Sequence, residues 1–307
     1  MMNKKMSYTA VKGDFPLKVI INEELLSSIV KKKKIIPYHV RMNITGNCNL
    51  TCAWCSRSKT DRRLELSYEE IISIIKKYLA LGCNTVTISG SGEPLMHKDI
   101  NKLITKIYYM GLDIGLITNG WFLKNLTDEN LGFLTWIRVS LGDKRTQPKS
   151  YWDNLQKTID RSTVDWSFSY ILTRNPDYDL IKSMITFANK NNFTHIRLMS
   201  DLNIENNSWA EHILRNWLRQ ENVKTKLLIY QNNQYSKGSK NCLVGLLRPI
   251  VDTEGIIYPC CNTQFAINSP NDWIKTMSLG TVKDIETICE EQKIFDGSKC
   301  YKCYSNH

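Results

Sequence analysis

At 307 residues the chain has room for one large α/β domain or a core with a small appendage. Its 42% apolar and 23% charged residues are the proportions of a soluble globular protein, and no apolar run approaches the roughly 20 residues that cross a bilayer. The net charge of +11 is uneven: residues 242–307 hold six Lys/Arg against eight Asp/Glu, so the cationic surplus lies before them, densest in "KKKK" (31–34) and "SRSKTDRR" (56–63). The opening "MMNKKMSYTAVKGDFPLKVI" lacks the apolar stretch of a secretory signal, so a cytoplasmic protein that contacts no membrane is expected.

Short β-rich runs alternate with helical patterns from residue 38 onward. "YHVRMNI" (38–44) reads as a strand followed by a turn-rich loop. "LSYEEIISIIKKYLALG" places Ser67 three residues ahead of Glu70, a capping box, and carries an apolar stripe of Ile71, Ile74, Ile75 and Tyr78 up to a stop at Gly82. "NTVTISG" is the second strand and "HKDINKLITKIYYMG" the second helix. "DIGLITN", "WIRVSL", "WSFSYIL" and "HIRLMS" supply four more strands, with "DYDLIKSMITFANKNN" the clearest later helix. Six β-then-α units in succession imply a parallel sheet with helices outside it, and right-handed crossovers let it curl into a partial, TIM-like (β/α)6 barrel. Function then belongs at the carboxyl ends of the strands.

After about residue 223 the rhythm changes. "VKTKLLIYQ" is a further strand candidate, "QNNQYSKGSKN" a polar loop, and "RPIVDTEGIIYPCC" a hairpin turning at Asp252-Thr253-Glu254-Gly255. A helix near 282–294 leads to "CYKCYSNH". The chain thus divides into an extension (1–37), a core (38–234) and a small α+β domain (235–307) too short to bury a large core unaided.

The ten cysteines are clustered, which in a reducing compartment points to metal and not to disulfides. Cys48, Cys52 and Cys55 fall within eight residues of the first loop in C-x3-C-x2-C spacing, with no fourth Cys or His nearby. Structural zinc wants four ligands, so the trio suits it poorly. An iron–sulfur cubane has four irons, and three thiolates hold it while leaving one iron for a non-protein ligand.

This spacing resembles the signature of the radical S-adenosylmethionine superfamily. The resemblance implies a [4Fe–4S] cluster on Cys48, Cys52 and Cys55, S-adenosylmethionine at the open iron, and an electron donor such as flavodoxin or ferredoxin. Trp54 stands where the family packs an aromatic beside adenine. "SGSGEPL" (89–95) is similar to the family's Gly-Gly-Glu motif, with Ser91 in place of the first glycine and Gly92 and Glu93 as expected at the methionine end of the cofactor. "ITNG" (117–120), with Asn119, matches a stretch that flanks the cofactor pocket. Ser140 in "VSLGD" resembles the ribose-contacting serine, and Leu198 an apolar wall for adenine. The resemblance spans roughly residues 38–200.

Cys242, Gly255 and Cys260 in C-x12-G-x4-C spacing, followed by Cys300-x2-Cys303, resemble the twitch domain, a short form of the SPASM extension. That implies one auxiliary [4Fe–4S] cluster with Cys242, Cys260, Cys300 and Cys303 as its four ligands. Zinc is the competing occupant, since two Cys pairs also suit it, and Cys261 competes with Cys260 as ligand. Cys83 and Cys289 read as small buried hydrophobes.

Together these imply an enzyme that cleaves S-adenosylmethionine reductively and abstracts hydrogen from a substrate. The basic surplus near the thiol loop favours an anionic small molecule or nucleotide. Two alternatives stand: a peptide-modifying maturase of SPASM type, and a non-catalytic, metal-stapled nucleic-acid-binding protein. No acid–base residue is assigned, and Asp143 and Arg174 at strand ends read equally as structural.

Overall fold

The computed structural model describes residues 34–55, 61–142, 147–201, 208–231, 238–264 and 277–300, together with 26–27, 30–31 and 303. Seven parallel strands follow one another across one sheet: β1 (His39–Asn43), β2 (Thr85–Ser89), β3 (Asp113–Thr118), β4 (Trp136–Leu141), β5 (Asp165–Leu172), β6 (His195–Ser200) and β7 (Leu228–Gln231). Between them run α1 (Tyr68–Leu81), α2 (Ile100–Tyr109), α3 (Asp128–Phe133), α4 (Lys149–Asp160), α5 (Tyr178–Lys190) and α6 (Ser208–Gln220). Among the described residues β7 is the last strand of the sheet and pairs only with β6, so the barrel is partial. Among the described residues no helix is long and apolar enough to cross a membrane.

Local chemistry sets these elements. At the start of α1 the Ser67 Oγ accepts from the Glu70 N–H at 3.2 Å while the Glu70 carboxylate accepts from the Ser67 N–H at 2.8 Å, the reciprocal capping box anticipated from the sequence. Ile71, Ile74, Ile75 and Tyr78 are all buried, each such side chain contributing about 1.5–3 kcal/mol on leaving water. The helix ends at Gly82, whose φ of 107° lies in the left-handed region.

Alternation along the strands sorts residues into two faces. Val40, Met42, Val86, Ile88, Ile114, Leu116, Ile137, Val139, Phe168, Ile196 and Leu198 are buried in one hydrophobic core with the helices. The opposite face carries His39, Arg41, Thr85, Thr87, Ser89, Arg138, Ser140, Ser167, Ser169 and Arg197. Barrel interiors are usually filled with branched apolar side chains. Here the lumen is polar, with His39 hydrogen-bonded to Thr87 at 2.8 Å, Ser140 to Ser169 at 2.9 Å, and Arg41 donating to Ser89 at 2.8 Å. Such a lumen is a place for a ligand.

The segment after residue 235 does not build a separate sheet. β8 (Ile250–Val251) pairs in parallel with β1, β9 (Ile256–Tyr258) returns antiparallel to β8, and β10 (Gly280–Thr281) pairs with β9, extending the sheet to ten strands. This covers the β1 edge, whose unpaired N–H and C=O groups would otherwise be exposed. Among the described residues three short helices belong to the segment: Val244–Leu247, α7 (Cys261–Gln264) and α8 (Ile285–Glu290). Ile285 and Ile288 of α8 join the main core, and Lys77 of α1 donates to the Val282 carbonyl at 3.3 Å. The terminal region therefore gains its stability by sharing the core of the barrel.

Candidate active site

A cavity opens at the carboxyl ends of β1–β6. Cys48, Cys52 and Cys55 line it, and Trp54, Gly92, Glu93, Asn119 and Ser140 line it with them. Of the residues proposed around the first cluster and its cofactor, Leu198 is the exception. It is 1% exposed and packed in the hydrophobic core, while its neighbour Met199 reaches the cavity. The reason is the two-residue period of the strand: Met199 shares its face with Arg197, and Leu198 points to the helices.

The thiol loop is held from both sides. Gly46 N–H donates to the Leu64 carbonyl at 2.7 Å, and Arg62 clamps the loop by donating to the carbonyls of Cys48 at 3.2 Å and Leu50 at 3.0 Å. A tight turn brings Cys55 N–H to the Cys52 carbonyl at 3.0 Å. Across the cavity, Gly92 N–H donates to Thr45 at 2.8 Å and Glu93 N–H to the Asn47 carbonyl at 2.7 Å, which zips the loop after β2 to the base of the thiol loop. A Cβ on Gly92 would lie 2.0 Å from the Asn47 oxygen, so only glycine fits this approach. Trp54 is seated the same way, since a Cβ on Gly142 would lie 2.0 Å from its ring.

Glu93 organises the mouth. It is 1% exposed and accepts from Leu95 N–H at 3.1 Å, Thr118 Oγ at 2.6 Å and Asn119 N–H at 2.6 Å. Burial nevertheless dominates these donors and raises its pKa to about 7. Asn119 in turn donates through its side chain to Asn49 at 2.7 Å, so this pair spans from the end of β3 to the thiol loop. Both residues are thereby occupied with positioning.

The donor set fits an iron–sulfur cluster. The Cys48 thiol is pushed up by burial, and Leu50 N–H donates to its sulfur at 3.5 Å, the kind of bond that favours a thiolate. A cubane binds each of three thiolates to a different iron, which a loop bearing Cys48, Cys52 and Cys55 on one cavity wall can supply. The Ser91 hydroxyl, which replaces the glycine of the motif, lines the cavity and is buried without a hydrogen-bond partner among the described residues, a donor left for a bound group.

The second group of thiols is partly assembled. Cys242 pairs with Phe295 in an isolated bridge, and Cys300 lies within electrostatic reach of both Cys242 and Cys303. Burial first, then those two thiols, push Cys300 up to about 12, a penalty that coordination reverses by deprotonating the sulfur. Cys260 follows β9 and accepts at its carbonyl from Thr263. Cys261 lies within electrostatic reach of Arg41 and Arg197. Cys83 and Cys289 are buried, as expected of small hydrophobes. Arg174 is exposed, and Asp143 lies outside the described residues. The lumen residues Arg41, Ser89, Gln147, Ser169 and Met199 also line the cavity, and motif matching did not find them.

Residues 42–142 match the sequence profile of the Radical SAM superfamily. The chain carries a radical SAM domain. This is the domain of an enzyme, and it contains the thiol loop, Gly92, Glu93, Asn119 and Ser140. The chain is 38% identical over 96 residues to GTP 3',8-cyclase of Lactiplantibacillus plantarum, covering 29% of this chain and 28% of that protein. It is 30% identical over 166 residues to a probable GTP 3',8-cyclase of Pyrococcus abyssi, covering 50% of this chain and 54% of that protein. The matches thus span about half or less of these relatives. In fold, the chain is similar to Streptococcus suis SuiB bound to the precursor peptide SuiA, with a TM-score of 0.60 at 14% identity, covering 85% of this chain and 67% of that one. At that identity the likeness concerns the fold alone.

Proposed function

We propose that this chain binds S-adenosylmethionine at a [4Fe–4S] cluster held by Cys48, Cys52 and Cys55 and oxidises or modifies a small anionic substrate, a nucleotide foremost. The observation that carries the reading is the convergence of those thiols with Trp54, Gly92, Glu93, Asn119 and Ser140 on one cavity at the strand ends. When bound, the cluster and cofactor supply one-electron cleavage to a 5′-deoxyadenosyl radical and hydrogen abstraction from a C–H bond. The chain's own part is positional. Arg62 and Asn119 fix the loop that presents the sulfurs, Gly92 admits the backbone approach, and the Ser140 and Ser169 hydroxyls offer a polar pair to a sugar.

A second [4Fe–4S] cluster on Cys242, Cys260, Cys300 and Cys303 belongs to the same proposal, with residues 235–307 as a twitch-like region. Flavodoxin or ferredoxin would deliver the electron, in the reducing cytoplasm that free thiols require. The nucleotide reading is supported by the relatives named for a GTP cyclase and by the polar, arginine-bearing lumen. Anaerobic reconstitution tests the proposal: about eight irons per chain and dithionite-dependent release of 5′-deoxyadenosine are expected. Zinc in both thiol groups without cofactor turnover would overturn it.

A further inference from the structure

Asn119 has all four of its polar atoms hydrogen-bonded, and the bonds lead to different parts of the molecule. Its N–H donates to the Glu93 carboxylate at 2.6 Å, and its side-chain amide donates at 2.7 Å to Asn49, which stands between Cys48 and Cys52. Its side-chain oxygen accepts from Trp121 N–H at 3.1 Å. The remaining atom, the carbonyl oxygen, accepts from the phenol of Tyr151 at 2.9 Å. Tyr151 is the third residue of α4, is 2% exposed, and is not among the residues that line the cavity. It reaches the site through Asn119.

The packing is built around this bond. The turn after β3 lies directly on the phenol because residue 120 is glycine. Its φ of 84° is in the left-handed region, and a Cβ there would stand 2.5 Å from the Tyr151 oxygen. The Trp121 ring backs the phenol, with its centroid 5.4 Å away. Burial first, and then the charge of Glu93, push the phenol's pKa up, so the hydroxyl keeps its proton and remains a donor. The first turn of α4 is itself anchored beside the cavity, since Gln147, two residues before the helix, is a lining residue. A phenylalanine would fill the same space in the core. What the hydroxyl adds is the hold on Asn119.

We infer that Tyr151 is a positioning residue: its hydroxyl fixes Asn119 from α4 and thereby sets the spacing between Glu93 and the thiol loop, two sides of the proposed S-adenosylmethionine pocket. This rests on reading the cavity as that cofactor's site. A helix packed in the core opens less readily than a loop at a strand end, so the bond lends the rigidity of α4 to the mouth of the pocket.

Tyr151→Phe removes one oxygen and keeps the ring, so a residue that merely fills the core would tolerate it. In the full-length, cluster-reconstituted chain, equilibrium dialysis should show S-adenosylmethionine bound about three- to tenfold more weakly, the effect of one unmade hydrogen bond at a part-buried carbonyl. Iron should stay at the wild-type content, and the melting temperature should move by less than about 4 °C. Hydrogen exchange on the metal-free full-length chain, read by mass spectrometry, should speed up at residues 46–55 and 118–121 and stay unchanged across α5. Tyr178→Phe, the same change at a tyrosine that stacks on Trp217, should leave cofactor affinity as it is. Should Tyr151→Phe fail to fold, Gly120→Ala carries the test, because its Cβ drives Asn119 off the phenol and should produce the same weaker binding and faster exchange. Wild-type affinity in Tyr151→Phe, or unchanged exchange at residues 46–55, would overturn the inference. A wild type that binds no S-adenosylmethionine would overturn the functional reading instead, and the exchange contrast would then decide on the hold of Tyr151 over the thiol loop by itself.

Discussion

The two groups of thiols are held in opposite ways. Cys48, Cys52 and Cys55 come from eight consecutive residues, and their loop is already shaped by Arg62, Asn119 and the backbone of Gly92 and Glu93. Cys242, Cys300 and Cys303 come from chain positions some sixty residues apart and lie within electrostatic reach of one another, with Cys242 bridged to Phe295. A preshaped local loop can wait for its cluster, whereas the proposed second site, closed across a long stretch of chain, would draw part of its stability from a bound cluster.

Substitution at each site should separate these dependencies most strongly. Cys52→Ala is expected to halve the iron from about eight per chain and reduce 5′-deoxyadenosine release to background, while the melting temperature moves by less than about 2 °C. Cys303→Ala should also lose about half the iron but lower the melting temperature by at least about 4 °C, because a long chain closure is released. Iron analysis and thermal denaturation of the reconstituted proteins read both. Equal melting temperatures would erase the distinction.

The same contrast explains what could be read from the sequence. Local signals were legible: the Ser67–Glu70 box, the alternating strand residues, and the thiol spacing each act within a few residues. The lumen was not. Arg41, Arg138 and Arg197 are scattered over more than 150 residues and meet only through strand register, which no short motif encodes. Leu198 shows the cost of matching position without parity. His195 and Arg197 share a strand face with Met199, so the polar residues of "HIRLMS" already marked the lumen side. The hairpin at 250–258 was visible as a hairpin, but its partner, the β1 edge more than 200 residues away, was not.

Gly92 is expected to be the next most sensitive position. Gly92→Ala places a Cβ 2.0 Å from the Asn47 oxygen, so the two loops must part at a cost of about 1–3 kcal/mol. Affinity for S-adenosylmethionine, measured by equilibrium dialysis on the reconstituted protein, should weaken by about tenfold or more, since 1.4 kcal/mol is a factor of ten. Wild-type affinity in this variant would mean that the zipped loops do not shape the pocket.

Glu93 links the mouth to pH. Its ordinary value of 4.5 is raised by burial to about 7. Below 4.5 both folded and unfolded chains hold the proton. Between 4.5 and 7 the unfolded chain releases it and the folded chain keeps it, so this residue's contribution to stability falls as pH rises; above 7 the loss is complete. At most about 3 kcal/mol is involved, at 1.36 kcal/mol per pH unit. Denaturant titrations from pH 5 to pH 8 should show the decline in wild type and a flatter profile in Glu93→Gln, whose amide does not titrate. Parallel profiles would assign the pH dependence elsewhere.

The smallest effect is expected at Arg62, and it bears on how the thiol loop is held before any cluster binds. Arg62 is exposed and donates to the carbonyls of Cys48 and Leu50, two bonds that together contribute about 1–3 kcal/mol to the loop's shape. Its removal leaves solvent-accessible carbonyls that water can satisfy, so Arg62→Ala should scarcely change the global melting temperature. The loop alone is loosened, and local opening is what exposes a cluster to chelator. Bathophenanthroline should therefore withdraw iron faster from Arg62→Ala than from wild type, and the excess should be confined to the half of the iron that Cys52→Ala removes. Faster loss from the other half would mean that Arg62 supports the fold at large, and the contrast between a preshaped loop and a metal-closed one would fail at its simplest point.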